Sequence, residues 1–406
     1  MIRFHIKKSS LSILLCAFMW CMPQGLSLRL AQYETFLNIF RCVMWGLVFV
    51  HIMLIRRKIS AFCKTLHIFW LVFLLCILCA DFTVININTW LIPFCSICGF
   101  ALLMEIYDLK RVTNVFYQYF YVISVINLIL LLGMPQGFTF QLIAYDGLST
   151  YESFSNFIST DNTYAPFLMC FLLLGEVCKE RYSKKVYIGM WVISCLTVIR
   201  IWSGTCIIGF SIYVLLIVLR NLHINIEKIK IWKMVVEFVT IFVLIYYFNI
   251  QNLFAPIIVG VLGKDLTLTR RIGLWSNAIE MIGEKWLFGW GNLNKGAIIL
   301  RDYYYWYAHN LALDILLEGG IITLAAFVYL LFILAKSLRG FISNYIIRSC
   351  LRVIAVFMIL NLTESYFNSI YFYIPMIIAA TYANQERQVT KMRYSIVSAG
   401  NMPCKL

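Results

Sequence analysis

Basic residues are concentrated in one stretch of an otherwise apolar chain. Between residues 251 and 311 the sequence carries six of them: Lys264, Arg270, Arg271, Lys285, Lys295 and Arg301. A guanidinium group can hold two phosphate oxygens with its planar fork, so arginines here suit an anionic ligand. A solvated loop that contacts lipid headgroups explains the charge equally well. The stretch is therefore a candidate phosphate site with one plain alternative.

A histidine followed by a polar stripe closes this stretch. His309 precedes Asn310, Asp314 and Glu318, which are four residues apart and share one face of a helix. An imidazole at this place can act as a general base or hydrogen-bond a substrate hydroxyl. A lone histidine is more often structural, but the stripe and the nearby arginines favour a functional role.

Residues 269–282 are predicted to form an amphipathic helix that positions the arginines. Thr269 is a candidate N-cap. The apolar stripe consists of Ile272, Trp275, Ile279 and Ile282. This pattern is typical of a helix that lies on the membrane surface with its indole among the headgroups. Arg270 and Arg271 would then lie at the depth of a lipid-attached phosphate.

Glycine and aromatic residues dominate the segment that follows this helix. Gly289, Gly291 and Gly296 predict a tight turn with close approach of the backbone. Trp290 and the other aromatic residues of 286–307 fit an interfacial belt, which is the ordinary interpretation. A platform for the faces of sugar rings is the alternative.

The rest of the chain must hold this segment in a membrane. Hydrophobic residues make up 62% of the 406 residues and charged residues only 13%, which excludes a soluble domain and a disordered chain. We predict an all-α integral membrane protein with about 12 transmembrane helices. The predicted spans are 9–24, 36–55, 65–83, 87–105, 115–134, 164–177, 186–202, 204–219, 234–250, 317–335, 350–363 and 366–383.

The chain reads as a single polytopic domain, residues 1–406, with one large extracytoplasmic loop. This loop, residues 251–316, separates the ninth and tenth spans and carries the short amphipathic helix. Most of the 34 basic residues fall on one side of an alternating topology. The positive-inside rule therefore predicts that both termini are cytoplasmic. The formal charge of +15 reflects orientation and does not indicate a nucleic-acid partner.

Charged residues at the membrane are further candidates for function. Arg200 ends the seventh span on its outer side, and Glu364 lies between the last two spans. The fourteen cysteines fall mostly within or beside spans and are interpreted as packing residues. The large loop has no cluster of ligands at metal spacing, so we expect neither a metal nor another cofactor.

One set of residues carries a resemblance to a known family. The pattern resembles the O-antigen polymerase and O-antigen ligase superfamily over about 60 residues, with further similarity only in topology. It is formed by Arg271, Trp275, Ala278, Ile279, Phe288, Gly289, Trp290, Gly291, Ala308, His309, Asn310, Leu313 and Glu318 through Ile322. Many ligases carry Ser-Arg-Gly where this chain has Arg200-Ile-Trp-Ser203-Gly204, so the arginine is displaced by three positions.

The resemblance implies a membrane glycosyltransferase of the bacterial inner membrane that uses a glycan on undecaprenyl pyrophosphate. A polymerase of O-antigen or capsular polysaccharide would transfer the glycan to the non-reducing end of another lipid-linked repeat. We expect Arg270 and Arg271 to hold the pyrophosphate, with Arg200 as a further candidate. His309 is expected to be the base or to orient the acceptor, with Glu318 as a weaker catalytic candidate.

Further residues are expected to contact the substrate. Trp290, Asn310, Asp314, Arg301 and Glu364 are candidates for binding substrate. A chain-length regulator is a possible partner besides the lipid bilayer and the lipid-linked oligosaccharide. The alternatives are an O-antigen ligase, which transfers the glycan to the lipid A core, and a flippase of lipid-linked oligosaccharide, which the absence of paired symmetric halves disfavours.

Overall fold

The computed structural model gives a helix at each of the twelve predicted spans. It describes residues 8–80, 87–134, 137–143, 150–160, 162–222, 230–261, 271–291, 299–300, 303–304 and 308–400. The twelve helices are α1 (Lys8–Trp20), α3 (Glu34–Leu54), α4 (Ala61–Cys79), α5 (Ile87–Ile106), α6 (Leu109–Gly133), α7 (Tyr164–Val177), α8 (Lys184–Ile201), α9 (Gly204–Asn221), α10 (Ile231–Phe248), α12 (Leu311–Leu338), α13 (Tyr345–Leu360) and α14 (Ile370–Gly400).

Two short helices complete the α-helices of the described residues. They are α2 (Gln24–Arg29), which follows α1, and α11 (Arg271–Glu284), which lies between α10 and α12. Two small antiparallel hairpins occur in connections: β1 (Phe138–Ile143) pairs with β2 (Thr150–Ser155), and β3 (Ile299–Leu300) pairs with β4 (Tyr303–Tyr304). The predicted all-α membrane class is confirmed, and these hairpins are minor additions to it.

Seven of the described helices are long and apolar enough to cross a membrane by length and composition. They are α3, α4, α5, α6, α9, α10 and α12. Residues Ser10–Trp20 of α1 and Tyr164–Val177 of α7 are apolar but shorter. A chain with this many such helices is a multi-pass membrane protein.

The core lies where α5, α7 and α14 pass through the middle of the bundle. Every residue of α7 from Tyr164 to Glu176 is buried, as is nearly all of α14 from Phe372 to Ala380. A helix that is apolar on all sides can be buried all round, which explains why these segments lack an amphipathic pattern. By contrast, α3 and α10 expose long rows of apolar side chains, as helices that face lipid do.

Helix α12 is interrupted near its start. Gly320 has φ 65° and ψ −169°, which no residue within a regular helix adopts. The segment from Leu311 to Gly319 is therefore a short helix that meets the long apolar part of α12 at a kink. We call the end of the bundle that carries α11 and this short segment the loop-side end.

Candidate active site

Helix α11 packs its apolar face against the protein. Trp275 is fully buried, and its indole Nε1 donates a hydrogen bond to the carbonyl oxygen of Ala308 at 3.0 Å. Its ring centroid lies 5.2 Å from that of Phe242 on α10, and Leu313 and Leu317 of α12 belong to the same cluster. The prediction that this indole lies among headgroups is wrong, because α10 and α12 cover it.

The glycine-rich turn after α11 fits into the kink of α12. Gly289 has φ +74°, and a Cβ there would lie 2.7 Å from backbone atoms of Glu318, Gly319 and Gly320. A Cβ on Gly320 would lie 2.6 Å from the backbone nitrogen of Phe288. Both glycines are required because two backbones meet here at a distance that no side chain allows. This contact explains the close-approach turn that the sequence predicted.

Backbone hydrogen bonds also join residues 286–291 to residues 317–321 of α12. The amide of Trp290 donates to the carbonyl of Leu317 at 2.7 Å, and the amide of Gly291 donates to that of Glu318 at 3.0 Å. The amide of Ile321 donates to the carbonyl of Trp286 at 2.9 Å. Carbonyls and amides that the kink removes from the helix are thus satisfied by the turn.

Asn310 fixes the beginning of α12. Its side-chain oxygen accepts from the amides of Ala312 at 3.1 Å and Leu313 at 3.2 Å, which is an N-cap. Its side-chain nitrogen donates to the carbonyl of Leu362 at 3.1 Å. Asn310 is therefore buried and bound to the chain itself, and contact with substrate stays a prediction.

The other members of the polar stripe behave differently from one another. Asp314 is buried, and its Oδ1 accepts a hydrogen bond from the backbone amide of Ala308. Glu318 is half-buried beside the turn at Gly291. Asp314 thus holds the residue that precedes His309. Roles of Asp314 and Glu318 toward substrate stay predictions.

The connection between α13 and α14, residues 361–369, is attached to the start of α12. The amide of Leu311 donates to the carbonyl of Asn361 at 3.1 Å. Asn361 is fully buried, and its side chain accepts from the amide of Tyr366 at 2.9 Å and donates to the carbonyl of Phe357 at 2.8 Å. This connection carries Glu364 to the loop-side end.

Glu364 contacts both Arg271 and His309. Its Oε1 accepts a hydrogen bond from Nη2 of Arg271, which begins α11. Its Oε2 lies 3.2 Å from Nδ1 of His309. The exposed fractions of the side chains are 13% for Arg271, 19% for His309 and 3% for Glu364. We call these three residues the Arg271–Glu364–His309 cluster.

The contact with Glu364 determines which nitrogen of the imidazole carries a hydrogen. An ionised carboxylate only accepts hydrogen bonds, so Nδ1 of His309 is protonated and donates a hydrogen bond to Glu364. In the neutral ring, Nε2 is then the basic nitrogen. His309 has φ 51°, a left-handed conformation that is uncommon for a residue other than glycine. Such strain persists where surrounding contacts impose it, and it is frequent at functional sites.

The pKa of Glu364 is set by opposing effects. Burial raises the pKa, whereas the hydrogen bond from His309 and the charge of Arg271 lower it. The lowering effects dominate, and the pKa lies below the ordinary value for glutamate. The carboxylate is therefore ionised at neutral pH and can orient two donors at once.

Trp290 is held by contacts with α11 and the residue after it. The indole Nε1 of Trp290 donates to the carbonyl of Met281 at 2.8 Å, and Nζ of Lys285 lies 4.3 Å from its ring centroid. Arg200 is exposed at the end of α8. The turn after it is joined to the 361–369 connection, because Asn162 accepts from Ser203 at 3.0 Å and from Tyr366 at 3.2 Å.

Arg270 and Arg301 lie outside the described residues. The structure brings together Arg271, His309 and Glu364 from the predicted set.

Sequence reasoning missed the importance of Asn361. A buried asparagine at the end of a helix, next to a short connection, is the signal that could have identified it. The pairing of Glu364 with residues far away in the chain has no local signal.

Residues 182–328 match the family model of the O-antigen ligases. This confirms the resemblance to the O-antigen polymerase and ligase superfamily. The matched region runs from the turn before α8 into α12 and includes Arg271 and His309, whereas Glu364 lies beyond it.

The match supports a ligase or polymerase activity in polysaccharide synthesis and a membrane enzyme of the glycosyltransferase type. A comparison with curated proteins finds no match to the chain. The matched region thus contributes the arginine and the histidine of the cluster, and the connection between α13 and α14 contributes the carboxylate.

Proposed function

We propose that this protein polymerises repeat units of O-antigen or capsular polysaccharide. It transfers a glycan from undecaprenyl pyrophosphate to the non-reducing end of another lipid-linked repeat. The observation that carries the proposal is the Arg271–Glu364–His309 cluster, in which one buried carboxylate holds a guanidinium and an imidazole. These two groups match the two needs of the reaction, a base for a hydroxyl and a cation for a phosphate.

The transfer assigns a task to each side chain. The oxygen of the acceptor hydroxyl attacks C1 of the donor sugar, and its proton passes to Nε2 of His309. The bond between C1 and the pyrophosphate oxygen breaks, and its electron pair leaves with undecaprenyl pyrophosphate. The transition state has oxocarbenium character at C1. Arg271 stabilises the negative charge that develops on the leaving group, since preorganised cations act strongly in a site shielded from water.

Glu364 is the positioning residue of this mechanism. It fixes the Nδ1–H tautomer of His309 and stabilises the imidazolium that forms, as a carboxylate does beside a catalytic histidine. It also fixes the guanidinium of Arg271, whose fork offers five N–H donors in total. When His309 takes up the proton, the cluster gains one positive charge at the moment when the leaving group becomes negative.

The proposal includes a topology and further ligands. The protein lies in the bacterial inner membrane with both termini in the cytoplasm, and residues 251–316 face outward. Arg270 is expected to assist Arg271 at the pyrophosphate, and Arg200 and Arg301 are further candidates. Glu318 is a weaker candidate than His309 for proton transfer. A chain-length regulator is a possible partner.

A ligase is the second candidate function, because the matching family model is described as O-antigen ligase. It would use the same donor and the same cluster. Only the acceptor would differ, being the lipid A core instead of a lipid-linked repeat.

Deletion of the gene in its host, followed by complementation and a gel of surface glycolipids, tests the assignment. A polymerase predicts that the deletion leaves a single repeat on the lipid core and that the wild-type gene restores the ladder. Bare core with long lipid-linked polymer would identify the ligase instead. Lipid-linked single repeats that accumulate on the cytoplasmic face would contradict both and indicate a flippase.

A further inference from the structure

His309 lies between two residues that are both bound by Asp314, which belongs to the first turn of α12. Oδ1 of Asp314 accepts a hydrogen bond from the backbone amide of Ala308, and the backbone amide of Asp314 donates to the carbonyl of Asn310 at 2.9 Å. Asp314, Ala308 and Asn310 are all buried. One buried residue thus holds the chain on both sides of His309.

Trp275 holds the same stretch of chain from α11. Its indole Nε1 donates to the carbonyl oxygen of Ala308 at 3.0 Å, so buried side chains from two different helices bind both backbone groups of Ala308. That carbonyl belongs to the peptide unit that joins Ala308 to His309, and the orientation of this peptide plane is therefore fixed. We call Asp314, Trp275 and the backbone of Ala308 the Ala308 clamp.

The clamp accounts for the backbone conformation of His309. A φ of 51° is unfavourable for a residue with a side chain and persists only where the neighbouring structure imposes it. Ala308 and Asn310 impose it here because both are held in place. In this conformation the imidazole reaches Glu364, with Nδ1 lying 3.2 Å from Oε2. A relaxed backbone would direct the side chain away from the carboxylate.

We propose that Asp314 and Trp275 are positioning residues for the transfer reaction, and that Asp314 acts as a hydrogen-bond acceptor for Ala308 instead of as a ligand of the substrate. This inference rests on the proposed function, because the effect on rate is exerted through His309. The task of Asp314 requires an acceptor oxygen and no charge. An asparagine side chain also offers a carbonyl oxygen, so Asp314→Asn can keep the clamp and Asp314→Ala cannot.

Modification of histidines by diethyl pyrocarbonate tests the clamp without requiring transfer. The full-length protein in nanodiscs is treated with the reagent, and mass spectrometry follows the rate of modification at His309. His51, which is exposed on α3, is the internal reference. Asp314→Ala should accelerate modification of His309 about three- to tenfold, as loss of one hydrogen bond changes the population of a released side chain. Asp314→Asn should keep the wild-type rate.

Trp275→Phe tests the other half of the clamp and does not depend on whether Asp314→Ala folds. It keeps an aromatic ring in the packing cluster but removes the N–H that binds Ala308, so modification of His309 should accelerate to a similar extent. Trp290→Phe is the matched control, since its indole Nε1 donates to the carbonyl of Met281 near the other end of α11. It should leave the modification of His309 unchanged. Wild-type modification rates in both Asp314→Ala and Trp275→Phe would overturn the proposal.

Turnover of lipid-linked repeats distinguishes positioning from contact with the substrate. Positioning predicts that Asp314→Ala lowers kcat roughly 10–10²-fold with little change in KM, because a displaced imidazole slows the chemical step. Asp314→Asn should restore most of this rate. The proposal fails if Asp314→Asn is as slow as Asp314→Ala while His309 is modified at the wild-type rate in both, since the charge of Asp314 would then act on the substrate.

The two readouts separate this proposal from the proposed function. If polymer formation depends on His309 while modification of His309 is unchanged in Asp314→Ala and Trp275→Phe, the positioning role is wrong and the function stands. If modification responds as expected while His309→Gln forms polymer at the wild-type rate, the clamp holds His309 but the proposed function is wrong.

Discussion

Glu364 is the residue on which the site depends, because it alone contacts both other members of the cluster. Glu364→Gln keeps the shape of the side chain but removes its charge. The amide can no longer stabilise an imidazolium or fix one tautomer of His309. We expect the transfer rate to fall by about 10²–10⁴-fold with little loss of folded protein. A rate within threefold of wild type would show that the carboxylate has no part in the reaction.

The pKa of Glu364 makes a separate prediction about stability and pH. A carboxyl whose pKa is lowered on folding stabilises the folded state fully above its unfolded pKa. This contribution is lost as the pH falls through the lowered folded pKa. Thermal unfolding in detergent at neutral pH should therefore give a lower unfolding temperature for Glu364→Gln than for wild type. The difference should shrink below about pH 4.3, and a difference that grows in acid would contradict the ionised state.

Arg271 is predicted to act through its planar fork as well as its charge. Arg271→Lys keeps the charge but cannot bind Glu364 and phosphate oxygens with the same geometry. We expect roughly a 10²–10³-fold loss of transfer. Arg348→Lys is the matched control, since Arg348 lies on α13 outside the cluster. Equal activity of both variants would show that Arg271 contributes only its positive charge and not the geometry of its guanidinium group.

At the residue scale, the sequence predicted the types of side chain but not their pairing. Arg271 and His309 stood out as a cation and an imidazole in one extramembrane stretch. Glu364 was a separate candidate, because a contact between residues 93 positions apart is created by packing and leaves no local pattern. The hydrogen bond from the amide of Leu311 to the carbonyl of Asn361 was missed for the same reason.

At the scale of elements, the main feature is the close contact between the turn at Gly289 and the kink of α12 at Gly320, which we call the interlock. Gly320→Ala should destabilise the protein, because the new Cβ meets the backbone of Leu287 and Phe288 and the residue must keep φ 65°. The strain alone amounts to about 1–3 kcal/mol. Gly283→Ala in α11 is the control, since nothing lies within 4 Å of its Cβ. Thermal unfolding measures both, and equal unfolding temperatures would contradict the interlock.

Helix α11 shows where pattern reading succeeds and where it fails. Its position and apolar stripe followed from helical spacing. Helical spacing did not predict the surface against which the stripe packs, because an amphipathic face can pack against a membrane or against protein equally well. The hydrogen bond from Trp275 to Ala308 identifies the neighbour as protein. This contact also ties α11 to the residue before His309, and so links the arginine to the imidazole.

At the scale of the whole molecule, the lengths of the apolar runs in the sequence were enough to predict a bundle of membrane-spanning helices. Each predicted span overlaps a helix, with ends that differ by a few residues, because apolar runs measure the hydrocarbon and not the hydrogen-bonded helix. The largest differences occur where helices extend beyond the hydrocarbon. Thus α12 begins at Leu311 and includes polar residues that the sequence assigned to the loop.

Orientation is the prediction that belongs to this scale. The distribution of basic residues predicts that both termini are cytoplasmic and that residues 251–316 lie outside. A fluorescent protein fused after Leu406 should therefore fluoresce, and alkaline phosphatase inserted between residues 292 and 298 should be active. The opposite pattern would place the cluster on the cytoplasmic face and exclude an acceptor in the periplasm.

The most direct measurement is turnover by the purified protein in nanodiscs. Lipid-linked single repeats extracted from the deletion strain serve as substrate, and release of undecaprenyl pyrophosphate and growth of polymer are followed together. Wild type should produce both, whereas His309→Gln and Glu364→Gln should produce neither at a rate above about 1% of wild type. If His309→Gln forms polymer at the wild-type rate while remaining folded, the Arg271–Glu364–His309 cluster is not the catalytic site.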